Sequence, residues 1–150
     1  MTTKDPLTPM LKLALSAAKG QHDFFLRTAD NVAMPEVKAL LMVLAESEEK
    51  MMGRIQHMLL TGIVDELTEL NSAPDRNIMP DETPFDPSRA ETDPRIYVCN
   101  MSLEKSIKTY AFYLAMAAKS QSELISTLFE YLALLKMRQI AQLRRVCSTF

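Results

Sequence analysis

The chain has no Trp, only three Gly and only two Cys. So few Gly leave no glycine-rich loop to cradle a phosphate, and few of the tight turns a β-rich fold needs. Runs of β-branched residues are also missing, which argues against strands. Cys99 and Cys147 form no Cys-x-x-Cys pair. Their wide separation reads as two thiols in a reducing compartment rather than a disulfide scaffold. No apolar run approaches the ~18 residues needed to span a bilayer, and MTTKDPLTPM lacks a signal-peptide pattern. The expectation is a cytoplasmic protein without a membrane partner. Net charge is only −2, so nothing biases the chain toward nucleic acid. No Ser/His/Asp or Cys/His order marks a nucleophile.

What is present is helical. At 47% hydrophobic and 24% charged, the 150 residues read as one globular domain spanning 1–150. Eleven Met imply an adaptable, sulfur-rich interior. Thr8-Pro9 offers an N-cap followed by Pro, and predicts a first helix over about 8–30. Its inward stripe is Leu11, Leu15, Ala18, His22, Phe25 and Ala29. Met34-Pro35-Glu36 opens a second helix over about 35–61, with the stripe Val37, Leu41, Leu44, Glu48, Met51, Ile55 and Met58. Gly62 breaks the pattern, and IVDELTEL has room for one or two more turns. NSAPDRNIMPDETPFDPSRAETDPR carries five Pro and reads as part of a long crossover over about 62–99. Asn100 is the expected cap of a third helix over about 100–119. Ser120-Gln-Ser-Glu123 looks like a capping box for a fourth over about 121–147. The expected fold is all-α: two helical hairpins joined by a Pro-rich crossover, as in one kind of four-helix bundle.

Shifting the chain by 88 residues reveals an internal repeat. Phe24, Leu26, Ala29, Leu40, Leu44 and Ala45 fall on Phe112, Leu114, Ala117, Leu128, Leu132 and Ala133. Those are six identities in 22 positions, where composition alone gives roughly one or two. The same shift carries Ala18 to Ser106, His22 to Tyr110, Glu48 to Lys136 and Met51 to Gln139. All eight sit on inward stripes near mid-height, so a polar layer should cross the core. Glu48 is the sharpest problem, because an unpaired carboxylate on an apolar stripe is costly.

The strings ALSAAKGQHDFFLRTAD, AMPEVKALLMVLAESEEKMMGRI and ISTLFEYLALLKMRQI resemble the rubrerythrin branch of the ferritin-like superfamily. The resemblance covers about residues 10–61 and 100–146. It implies a bundle that holds two irons, ligated by one Glu on each of two helices and a Glu-x-x-His on each of the other two. Carried over by position, the ligands would stand at 18, 48, 51, 106, 136 and 139. The chain has Ala18, Glu48, Met51, Ser106, Lys136 and Gln139 there. One ligand of six survives, and an ammonium stands where a carboxylate belongs. No conventional di-iron site is expected, nor any cofactor, and the family's peroxide, ferroxidase and hydroxylase chemistry loses its basis. In that fold positions 48 and 136 face one another. The resemblance therefore implies a Glu48–Lys136 ion pair, with Gln139, Ser106, Tyr110 and His22 supplying further hydrogen bonds. The alternative is that Lys136 snorkels to an edge and Glu48 binds water.

Other groups are weaker. His22 and Glu48, with Glu46 or His57, are conceivable ligands for one metal, and Met51 or Met52 for haem; core and surface roles are the default for each. Lys136, Arg138, Arg144 and Arg145 make the end of the last helix basic, read as a solvated face. Two functions stay open. One is a non-catalytic interaction or regulatory module, homodimeric through exposed helix faces. The other is a metal-binding oxidoreductase with an unorthodox iron or manganese site.

Overall fold

The computed structural model of the chain describes residues 7–61 and 80–150. Among the described residues all regular structure is helical: α1 (Leu7–Asp30), α2 (Pro35–Thr61), α3 (Pro87–Ala90), α4 (Pro94–Lys119) and α5 (Glu123–Cys147). The turns expected in IVDELTEL, and the Pro-rich string up to residue 79, lie outside the described residues. None of the described helices is long and apolar enough to cross a membrane.

Pro positions explain most helix starts. Pro9 sits in the first turn of α1 and Pro35 begins α2, where a missing N–H costs nothing because no intrahelical acceptor exists for it. The third long helix corrects the expected start at Asn100. It begins at Pro94, with the Asp93 carboxylate accepting from the Arg95 N–H at 3.0 Å. The Asp-Pro pair is a cap plus first helical residue, not a breaker. Asp86-Pro87 repeats the device at α3, where Asp86 accepts from the Ser88 N–H at 3.0 Å. Asn100 lies inside α4 and binds the crossover instead. Its amide accepts from the Phe85 N–H at 2.7 Å and donates to the Phe85 carbonyl at 3.1 Å. The fourth long helix also starts later than expected. Ser122 caps it by accepting from Ile125 N–H, while Ser120 ends α4.

α1 pairs with α2 and α4 with α5, and residues of all four share one core. On α1 the buried stripe is Leu11, Ala14, Ala18, Phe25 and Ala29; the expected Leu15 and His22 are only half-buried. On α2 the buried stripe is Val37, Leu41, Glu48, Met51, Ile55 and Met58, with Leu44 half-buried. Each large apolar side chain buried in full contributes about 1.5–3 kcal/mol. Burial follows the 88-residue repeat. Phe25 and Tyr113, Val37 and Ile125, Leu41 and Phe129, and Ile55 and Leu143 are all buried. The helix bounds follow it as well, since Pro35 maps onto Glu123.

The two Cys require a correction. Cys99 and Cys147 form a disulfide, with Cα atoms 6.2 Å apart and both residues buried. Sequence distance misleads here because α4 and α5 are antiparallel around the turn at 120–122, and the two Cys lie at similar distances from it. The reading of two reduced thiols falls, and with it the cysteine argument for a cytoplasmic location. The end of α5 is also less solvated than expected. Arg144 is half-buried, donates to the carbonyls of Asp81 and Thr83, and lies over the Phe85 ring at 5.2 Å. It lashes the crossover to α5.

Candidate functional site

Glu48 stands halfway along α2, on the face turned to α5. A position with its charge needs a partner from the opposite helix, and α5 supplies one. The Lys136 Nζ donates to Glu48 Oε1 at 2.6 Å. Glu48 is 3% exposed and Lys136 1%. The snorkelling alternative is thereby excluded, because the ammonium stays inside. Lys136 also donates to Gln21 Oε1 of α1 at 3.3 Å. Gln21 Nε2 in turn donates to Thr109 Oγ1 of α4. One chain of contacts thus ties α2, α5, α1 and α4 together at mid-height.

Both pairs of touching residues, Glu48 with Lys136 and Gln21 with Thr109, are separated by 88 in sequence. Repeat-related residues meet only near an axis that exchanges the two hairpins. The polar layer is therefore built around that axis.

Several expected members lie elsewhere. His22 is half-buried and its Nδ1 lies 3.1 Å from Asp23 Oδ1; its neighbour Gln21 reaches Lys136 instead. Ala18 and Met51 are buried and apolar, and Ser106 is buried on α4. Gln139 donates through Nε2 to the Ser47 carbonyl at 3.1 Å, not to the ion pair. Tyr110 is buried, and its phenol is pushed above the ordinary tyrosine range by burial first and by the charge of Glu82 second. The tyrosine that feels Glu48 is Tyr113, one helical turn on, raised by burial first and by Glu48 second. Met52 packs against the core from a half-buried position, and His57 is exposed.

The electrostatics set limits on chemistry. Burial holds Lys136 below the ordinary lysine range, against the opposing pull and hydrogen bond of Glu48. Glu48 Oε2 is buried with no hydrogen-bond partner among the described residues, as is Gln139 Oε1. The six positions that resemble a di-iron ligand set do not fit such a centre. The Lys136 ammonium already occupies Oε1 of their single carboxylate, and Ala18 and Met51 present carbon and thioether where hard oxygen and imidazole donors are needed. Among the described residues, no group of three or more His, Cys, Asp or Glu converges to hold a metal ion.

Sequence reasoning missed Gln21, Thr109 and Tyr113. The repeat carried the signal for the first two, because Gln21 maps onto Thr109 as Glu48 maps onto Lys136. It also missed Arg54, whose Nη1 donates at 2.7 Å to the hydroxyl of the buried Tyr131. No protein-family model, curated protein or solved structure matches this chain.

Proposed function

We propose that this chain is a ferritin-like four-helix bundle of the rubrerythrin branch that has exchanged metal chemistry for an internal charge pair. It acts as a non-catalytic interaction or regulatory module. The observation that carries this reading is the 2.6 Å contact of Lys136 Nζ with Glu48 Oε1 at the centre of the core. Two carboxylates facing one another there would need cations between them. A lysine on one side meets that need from within the chain.

The order of the elements supports the architectural part: hairpin, crossover, hairpin, with one shared core. A homodimer is the proposed assembly. Leu13 of α1 and Met42 and Val43 of α2 are large, apolar and exposed, and exposed apolar surface of this kind suits a second copy.

The test is metal analysis of protein purified without added metal, followed by anaerobic ferrous loading and exposure to oxygen. The expected result is substoichiometric iron and manganese and no oxygen uptake above buffer. Two irons per chain, or one manganese with turnover, would overturn the reading in favour of the oxidoreductase. Light scattering on the same sample should give twice the chain mass; a monomer would remove the dimer alone.

A further inference from the structure

One face of α2 is exposed along much of its length. Met42, Val43, Glu46, Glu49, Lys50 and Gly53 recur at spacings of three, four and seven, so they share one side of the helix. All six are exposed. Two are large and apolar, Met42 at 49% and Val43 at 40% exposure. The repeat supplies a contrast. Val43 and Glu46 map onto Tyr131 and Leu134 of α5, and both of those are buried. The same stretch of face is closed on α5 and open on α2. Beside it a groove of about 670 Å³ lies between α2 and α1, walled on the α1 side by His22 and Leu26.

The charges and shapes on this face are complementary to themselves. Glu46 and Lys50 stand two residues to either side of position 48, and Val43 and Gly53 stand five to either side. When two copies of a helix lie antiparallel about a two-fold axis, residues equally far to either side of the axis come opposite one another. An axis level with position 48 therefore sets a carboxylate against an ammonium and an apolar side chain against a bare backbone, each twice over. Gly53 matters for the second match. A Cβ there would meet no heavy atom within 4 Å, so the chain itself does not crowd the position. A glycine inside a helix costs stability relative to alanine, and what it offers in return is close approach of another backbone.

The electrostatic gain comes from adding partners to charges that already have one. Within one copy Glu46 and Lys50 touch at 3.7 Å, but a pair this exposed contributes little. Across the axis each charge acquires a second opposite charge, in a contact that excludes water and strengthens the attraction. Glu49 falls at the margin of the face, where water and salt screen it.

We propose that α2 is the contact between two copies of this chain, packed antiparallel on the partner's α2 with Glu46 against the partner's Lys50 and Val43 against the partner's Gly53. Met42, next to Val43, borders the same gap. A second copy is the occupant because one register satisfies the charged and the apolar match together, which only a surface carrying the same residues in the same order provides. The inference rests on the homodimer reading above and adds to it the shared helix and its register.

The experiment is sedimentation velocity of the full chain over a concentration series at low ionic strength. The wild type should dimerise. E46K and K50E should each weaken the dimer about tenfold or more, because each sets like charges across the axis. An equimolar mixture of E46K and K50E should dimerise again, since each then meets the opposite charge on the other. The pair within one helix is lost in both variants, so it does not account for that recovery. G53L should weaken the dimer as well. L124D, at an exposed position on α5, should leave it unchanged. Circular dichroism of each variant confirms that it is folded. A monomeric wild type would remove the homodimer reading and this inference together. A dimer that E46K, K50E and G53L leave intact would overturn this inference alone, and so would a mixture of the charge variants that stays monomeric. A dimer lost only in L124D would place the contact on α5 and overturn it too.

Discussion

Replacing Lys136 by Met should destabilise the protein more than replacing Lys136 and Glu48 together. The reasoning starts from exposure: Glu48 is 3% exposed, and Lys136 supplies the hydrogen bond to its Oε1. Oε2 has no partner among the described residues. K136M thus strands a carboxylate in the core with its bonded oxygen stripped, and breaking a buried pair from one side costs about 3–5 kcal/mol. A domain of this kind has about 5–15 kcal/mol in total, so the loss would be a large share of it. E48Q/K136M removes the charge as well as the partner. Methionine fills much of the lysine's volume, and exchanging a buried ion pair for a neutral one is often close to even. The double variant should therefore regain most of the loss. Urea denaturation followed by circular dichroism gives both free energies, provided the slope with denaturant is unchanged. A further signature separates stranded charge from lost packing. Protonating the stranded carboxyl relieves it, so the K136M deficit should shrink toward acidic pH. Equal stabilities of the single and double variants, at neutral and at acidic pH, would refute the reasoning.

Two other expectations follow from the structure. Cys99 and Cys147 close a loop across 48 residues, for which the chain-entropy relation gives about 4 kcal/mol. C99S/C147S, or reduction of the native protein, should lower the urea midpoint accordingly, and a midpoint unmoved by reductant would show that the bond contributes nothing. For pH, burial depresses the Lys136 pKa below the unfolded value of 10.5. The unfolded chain then binds more protons between the two values, so stability rises as pH climbs through that window. Tyr110 and Tyr113 are raised above their unfolded value of 10.0, which makes stability fall past about pH 10. Urea midpoints should climb with pH below 10.5 and turn down past about pH 10, with the climb missing from K136M; midpoints that never rise with pH below 10 would contradict the argument.

The helical period and the Pro and cap signals placed α1 and α2 to within a residue. They miss the start of α4 because Asp93-Pro94 closes a Pro-rich stretch that reads as an interruption. Yet a Pro whose N–H is not needed, preceded by a carboxylate that caps, begins a helix. The repeat already contained the answer, since shifting α1 by 88 residues places its partner's start near 95. The Glu48–Lys136 contact is one that the family resemblance implies, rather than one that helical period alone shows. Gln21 is missed, because helical period alone does not separate the half-buried His22 from its neighbour. The disulfide escaped because spacing along the chain carries no information about antiparallel geometry until the turn at 120–122 is known.

The asymmetry at one position then becomes the central physical fact of this core. Where a hairpin is repeated, equivalent residues that do not meet are free to be alike, as the buried Leu40 and Leu128 are alike. Residues near the exchange axis meet their own equivalents. For an apolar residue that is harmless. For a carboxylate it is not, because two such groups a few ångströms apart cannot both stay ionised. Such a repeat has three ways out: a shared proton, bound cations, or unlike residues at the two sites. The chain takes the third at positions 48 and 136, and again with an amide and a hydroxyl at Gln21 and Thr109. On this argument K136E would restore the conflict without restoring the means to resolve it. Ala18, Met51, Ser106 and Gln139 still deny a metal its remaining ligands. That variant should be less stable at neutral pH than K136M, and should recover on acidification more than K136M does, because it has two carboxyls to protonate instead of one. A K136E variant as stable as wild type at neutral pH, measured by the same denaturation, would mean that the two positions do not confront each other.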